Sequence, residues 1–242
     1  MKSIRFFALA VFLFASGAVQ AQDMSLDKIL DAHFKAVGQK NVLKKNSMIM
    51  TGKIVQMGNE IPFRIIQKRP AMFYLEAEVQ GSKMKQGYDG QNGWMIAPWT
   101  GSMEPVDLSG QDLRNLKEQA DMDGYLWKWK ERGFKLELSG KEDVQGSQAY
   151  HLKLTNDAGD VSDYWIDASK FLIVKTKRMM SMQGQEMAQE SLMSDYSDMN
   201  GIMLPHSIEN RMNGQTMSTI MVEDIKLDEK IDDSTFVKPT AM

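Results

Sequence analysis

Ile61-Pro62-Phe63-Arg64-Ile65-Ile66-Gln67-Lys68-Arg69-Pro70 is the stretch on which the fold turns. In an extended chain successive side chains point to opposite faces. Ile61, Phe63, Ile65, Gln67 and Arg69 therefore share one face, and Arg64, Ile66 and Lys68 share the other. Pro70 ends the strand, because it has no N–H to give to a neighbour. If Phe63 and Ile65 point inward, so does Arg69. A guanidinium at the end of an apolar face needs acceptors for its five donors. Parity leaves a second position open, in which Arg69 lies past the end of the strand and reaches solvent.

The same alternation spreads to both sides. Met48, Met50 and Ile54 alternate with more polar neighbours before a turn at Gly58-Asn59. Phe73, Leu75, Ala77 and Val79 share a face of the next strand, whose other face carries Glu76 and Glu78. Gly81-Ser82 turns the chain, Met84, Gln86 and Tyr88 alternate up to Asp89-Gly90, and Asn92 to Trp99 reads as another strand. Strands resume at Phe134–Leu138 and Tyr150–Leu154. They continue through Tyr164–Asp167, Leu172–Met180, Met187–Tyr196, His206–Met212 and Met217–Leu227. Close-spaced strands joined by tight turns describe an antiparallel meander.

Two stretches break the pattern. Ser25 opens a helix to about Val37, with Leu26, Ile29, Leu30, His33, Phe34 and Val37 on one stripe and Gly38 as its stop. Ser109 to Met122 places Leu113 and Leu116 on one side of a second helix, which Asp123-Gly124 interrupts. Tyr125 to Lys130 reads as a short further helix with Tyr125, Leu126 and Trp129 facing one way. The expected class is mainly β (α+β): a strongly curved antiparallel sheet with an N-terminal helix and a central helical insertion. A sheet with one apolar face needs a cover, and short helices across a curved sheet leave a concave apolar cavity.

The chain opens with Lys2 and Arg5, an apolar run from Phe6 to Phe14, and Ala18-Val19-Gln20-Ala21. A basic end, a short apolar core and a small-x-small cleavage site make a secretory signal, expected to span Met1–Ala21. The core is too short to cross a bilayer, which takes about 20 apolar residues. The mature protein, 22–242, is expected to be one domain, exported to the periplasm, with no cysteine to carry a lipid or a disulfide. Losing Lys2 and Arg5 takes the formal charge from −3 to −5, which speaks against nucleic acid as a partner. The 21 methionines read either as ordinary core filler or as an adaptable apolar surface.

Lys68-Arg69-Pro70, Phe73 three residues on, Asp89-Gly90 at a hairpin, Trp94 and Pro98 follow one another in an order that resembles the periplasmic lipoprotein carriers of the LolA/LolB superfamily. Asp232-Asp233-Ser234-Thr235-Phe236 followed by Pro239 is similar to that family's Phe-x-x-Pro ending. The resemblance implies an incomplete β-barrel whose mouth is covered by a helical lid, shielding lipoprotein acyl chains in transit. It implies that Arg69 lies inside and hydrogen-bonds the lid, here Ser109–Lys130. The chain is longer than a typical carrier, and its central insertion and C-terminal strands are its own.

Chemistry-bearing patterns are few. With no Cys and three His (His33, His151, His206), nucleophile–base pairs are scarce, and there is no Gly-x-Ser-x-Gly or His-Glu-x-x-His motif. His33 reads as a packed core histidine and His151 as a solvent-facing one. Asp121-Met122-Asp123-Gly124 starts like a calcium loop but lacks the other ligands, so it reads as a helix stop. No enzyme, cofactor or metal is implied. The expected function is a soluble monomeric carrier of lipoprotein acyl chains or another lipid, moving between an inner-membrane donor and an outer-membrane acceptor protein. Met48, Met50, Phe63, Ile65, Phe73, Leu75 and Trp94 are the candidate cavity lining, with Arg69, Leu113 and Leu116 in the lid. The same residues also fit a filled core. The alternative function is a lipid-free envelope sensor or interaction module, with Trp99, Trp127 and Trp129 as contact aromatics.

Overall fold

Alternation along the chain resolves into one antiparallel sheet in the computed structural model, which describes residues 24–182 and 185–240. The expected signal Met1–Ala21 lies outside the described residues. The first six strands are β1 (Ser47–Gln56), β2 (Asn59–Lys68), β3 (Met72–Val79), β4 (Ser82–Tyr88), β5 (Gly93–Ile96) and β6 (Val106–Leu108). Seven follow: β7 (Lys135–Val144), β8 (Ser147–Thr155), β9 (Val161–Asp167), β10 (Ile173–Met182), β11 (Gln185–Asp198), β12 (Met203–Met212) and β13 (Gln215–Leu227). Their order is β6-β5-β4-β3-β2-β1-β13-β12-β11-β10-β9-β8-β7. The chain thus builds two meanders, and β1 and β13 join them at the centre of the sheet. Among the described residues β6 and β7 remain edges, so the sheet is an incomplete barrel.

Two helices cover the two ends of the concave face. Helix α1 (Leu26–Ala36) buries Ile29 and Leu30 against Leu136, Leu152, Leu154, Tyr164 and Ile166 of β7–β9, and buries His33 as well. Its stop is physically required. Gly38 has φ +72°, and a Cβ there would lie 1.9 Å from the Gly201 carbonyl oxygen in the β11–β12 turn. The short helix α2 (Gln39–Val42) follows directly, an element the alternation pattern does not reveal. Helix α3 (Gly110–Ala120) covers the other end, where Leu116 and Ala120 are fully buried with Phe73 and Tyr88.

The expected helix at Tyr125–Lys130 does not form. Residues 125–133 are a run of turns, and Lys128 has φ +54°, which no right-handed helix accommodates. Aromatic contacts hold the segment instead: Trp127 meets Phe34 edge-on at 5.0 Å, and Tyr125 meets Phe134 at 5.4 Å. The strand expected from Asn92 to Trp99 is shorter, ending at Ile96 before a 3-10 turn at Pro98–Thr100. No helix among the described residues is long and apolar enough to cross a membrane.

Candidate functional site

Between α1 and α3 the middle strands leave a concave floor. Register pairs Met48 with Gln67, Met50 with Ile65, and Gly52 with Phe63 across β1 and β2. Ile65 in turn faces Leu75, and Gln67 faces Phe73, on β3. Cross-strand partners point to the same face, so six of the seven expected lining residues converge: Met48, Met50, Phe63, Ile65, Phe73 and Leu75. Phe63 is buried with Ala77, Val222 and Ile225, and Met48, Met50, Ile65 and Leu75 pack against this group. The apolar surface continues across β13, β12 and β11 through a rung formed by Ile61, Ile54, Ile220, Ile208 and Met193.

Trp94 is the correction. It pairs with Gly87, which pairs with Tyr74, and Tyr74 pairs with Ile66, so all four positions belong to the opposite face from Phe73 and Ile65. There the indole lies flat over Gly87, where a Cβ would come within 2.4 Å of the ring. Its Nε1–H donates to the Phe236 carbonyl oxygen at 2.8 Å. The C-terminal segment that brings Phe236 to this point is anchored by Lys68, whose Nζ donates to the Ile231 carbonyl (2.7 Å) and pairs with Asp233. Trp94 therefore fixes the tail to the outer surface, and the motif that contains it spans both faces of the sheet.

The floor changes character along the strands. Two residues beyond the isoleucine rung come Tyr164, Thr176, Ser191, Asn210 and Ser218, and two further come Ser162, Arg178 and Gln189. Ser191 Oγ and Asn210 Oδ1 are 2.8 Å apart, and Arg178 Nε donates to Gln189 Oε1 at 2.8 Å. A cavity of about 500 Å³ lies where the two surfaces meet, with Met50, Ile65, Phe73, Met193 and Ile208 on one side and Ser162, Thr176, Arg178 and Ser191 on the other. It adjoins a wider groove of about 770 Å³ along α3, bounded by Asn115, Glu118, Ser162 and Arg178.

Helix α3 closes the cavity by contacts on both sides. Toward β5, Leu113 and Leu116 fill the space above Gly93, where a Cβ would lie 2.9 Å from each. From β2, Gln67 Nε2 donates to the Gln119 carbonyl at 2.6 Å. Its Oε1 is buried with no hydrogen-bond partner among the described residues. From β10, Arg178 Nη1 reaches Glu118 Oε2 at 3.3 Å and Asn115 Oδ1 at 3.5 Å. Burial pushes the Glu118 carboxyl above its ordinary range, against the pull of Arg178. Burial likewise raises the Tyr125 phenol to about 12, and raises that of Tyr164.

Arg69 is the hub of the inner face. Its Nε donates to the Lys45 carbonyl (2.7 Å), and its Nη2 donates to the Val42 carbonyl (3.1 Å) and to Asp123 Oδ1 (2.5 Å). It thereby ties the end of α2 to the loop that follows α3, rather than to α3 itself. Asp123 also gives its carbonyl to Gln39 Nε2 at 3.1 Å. Asp121, at the end of α3, accepts from Asp123 N at 3.0 Å and pairs with Arg132. The Asp121–Gly124 stretch is thus the helix stop and the anchor of the loop.

The histidines are structural in different ways. His33 Nδ1 lies 2.8 Å from the Phe171 carbonyl, and burial holds its pKa below the usual 6.5. His151 does not simply face solvent: it stacks on Trp165 at 4.4 Å, between Glu142 and Asp163 at 2.8 and 2.9 Å. His206 Nε2 lies 2.7 Å from Ser197 Oγ, and its Nδ1 lies 3.0 Å from the Val222 carbonyl. Among the three tryptophans weighed as contact aromatics, Trp99 is 63% exposed, while Trp127 and Trp129 are half-buried.

Residues 72–240, more than half of the chain, match the model of a family described as "Uncharacterized protein". No curated protein matches the chain. Solved structures share its fold. A DUF1329 family protein from Desulfovibrio piger superposes with a TM-score of 0.58 at 15% identity, covering 86% of this chain and 97% of that one. A LolA superfamily protein from Nitrosomonas europaea gives 0.58 at 16% identity, covering 89% and 99%. An outer membrane lipoprotein-sorting protein domain from Vibrio parahaemolyticus gives 0.53 at 9% identity, covering 85% and 97%. The fold is that of the LolA superfamily.

Proposed function

We propose, for a chain that belongs to the family matched over residues 72–240 and has the LolA fold, that it is a soluble periplasmic carrier of acyl chains. It would take up lipoprotein acyl chains or another lipid from an inner-membrane donor and pass them toward the outer membrane. The observation that carries this reading is the apolar floor from Met193 to Phe73, covered by a helix that belongs to neither meander. The lipoprotein-sorting description of the Vibrio parahaemolyticus domain adds support of the same kind.

The energetics are compatible with loading. Lifting α3 uncovers Leu113, Leu116 and the facing Phe73, at about 1.5–3 kcal/mol for each side chain. Each acyl CH2 moved out of water contributes about 0.8 kcal/mol, so a chain of about ten methylenes offsets the opening. The test is to extract the natively purified protein with organic solvent and to titrate it with a fluorescent fatty-acyl probe. Bound lipid, and probe binding that Ile65→Arg abolishes, is the expected result. No lipid and no binding would sink the proposal.

A second reading is a lipid-free interaction module. What favours it is the stretch from the turn after β5 to the start of β6, where Trp99, Met103 and Val106 are 63%, 58% and 51% exposed. An envelope partner that is retained by the Ile65→Arg protein and lost with Trp99→Ala would favour this reading over the carrier.

A further inference from the structure

The acyl-chain reading accounts for the apolar floor but leaves the polar one unused. Arg178 projects from β10 into the same cavity that Met50, Ile65 and Phe73 line. Three groups hold it: Gln189 on the neighbouring strand, and Asn115 and Glu118 on α3. Its anionic partner therefore comes from the lid, not from the sheet. The contact is long at 3.3 Å, and both side chains keep about a third of their surface exposed (32% and 34%), so an incoming anion can reach it. Seen from the cavity, Glu118 occupies an anion-binding position built of one guanidinium, with Ser162 and Ser191 nearby on the same lining.

We infer that the ligand is an anionic amphiphile whose chain lies on Met50, Ile65 and Phe73 and whose carboxylate or phosphate replaces Glu118 on Arg178, freeing α3 from the β10 wall. This rests on the acyl-chain reading. It adds the head group and makes loading and lid release one exchange. An uncharged head cannot make the exchange, because it leaves the Arg178–Glu118 pair in place. On β2, Gln67 lines the same cavity and bonds α3 through the Gln119 carbonyl, and its buried Oε1 has no partner among the described residues.

The test is competition against a bound fluorescent acyl probe by oleate, oleoyl lysophosphatidate, oleyl alcohol, acetate and inorganic phosphate. A charge-assisted contact to arginine corresponds to about tenfold or more in affinity. Either anionic lipid should therefore compete about tenfold or more ahead of the alcohol, and the stronger one identifies a carboxylate or a phosphate head. Acetate and phosphate should not compete at matched concentration. Arg178→Met should erase the anion preference, with the alcohol gaining affinity because the pair that holds α3 is gone. Arg178→Lys should keep most of the preference, and Glu118→Gln should strengthen both kinds of lipid, the anions more. Equal competition by oleate and oleyl alcohol in the unmodified protein overturns the inference and leaves the carrier reading standing. Failure of every lipid to compete overturns both.

Discussion

The two halves of the concave floor are built by different strands of one sheet and do opposite things. Near β1–β3, Met48, Met50, Phe63, Ile65 and Leu75 form a continuous apolar surface. A few residues along β9–β12, the same face carries Tyr164, Thr176, Arg178, Gln189, Ser191 and Asn210. The polar side chains Ser191, Asn210, Arg178 and Gln189 are half-buried and pair with one another, Ser191 with Asn210 and Arg178 with Gln189, so they line the floor without adding to the apolar core. A sheet that receives an amphiphile needs both. Helix α3 reflects the same division, with Leu113, Leu116 and Ala120 toward the apolar side and Asn115 and Glu118 toward Arg178.

The largest expected difference between the halves is in stability. Phe63→Ala should cost about 3–5 kcal/mol in urea unfolding, the usual loss for a buried phenylalanine. Ser191→Ala on the polar side should cost no more than about 1.5 kcal/mol. Similar costs at the two positions would erase the distinction. Next in size is Arg69→Leu, which leaves Asp123 and two carbonyls without their donor and should destabilise by about 2–4 kcal/mol. Stopped-flow release of an acyl probe should quicken in the same variant. Unchanged release would show that Arg69 holds the fold but not the lid.

Trp94→Phe tests the opposite face. Losing the indole donor to the Phe236 carbonyl should cost about 1–3 kcal/mol. Acyl-probe affinity should stay the same, and a weakened affinity would return Trp94 to the cavity.

The smallest effect concerns His33, whose folded pKa lies below the unfolded value. Its neutral form is favoured in the fold, so its contribution is complete above the unfolded value near 6.5 and is lost as pH falls below it. Unfolding free energy should therefore decline as pH falls below about 6.5. His33→Gln should flatten that decline, and an unchanged slope would assign it to other groups.

The apolar half was legible in the sequence because alternation is a local signal. Parity along Ile61–Pro70 placed Phe63, Ile65 and Arg69 on one face without reference to anything distant. The partners of Arg69 were not legible, because Val42, Lys45 and Asp123 come from segments on either side of the strand that only the fold brings together. Trp94 was misread for a related reason. Three of the four residues of β5 are buried, so burial does not reveal its faces. The signal that could have placed the indole is Gly87, a gap on the neighbouring strand that only a glycine provides. The polar half escaped notice altogether, since Thr176, Arg178, Gln189 and Ser191 look like any solvated strand face until curvature turns them inward. The helix expected at Tyr125–Lys130 failed at Lys128, whose left-handed backbone no helix propensity foretells.

On the proposed carrier function, α3 is a removable cover and not a permanent part of the core. Because the chain has no cysteine, Lys117→Cys on the exposed side of α3 and Gln91→Cys in the β4–β5 turn can carry a unique pair of spin labels. Pulsed electron–electron resonance should give one narrow distance in the free protein and a longer, broader distribution once oleate is added to saturation. Saturated binding with the distance unchanged would rule out a removable α3, because the chain would then have entered without lifting the helix.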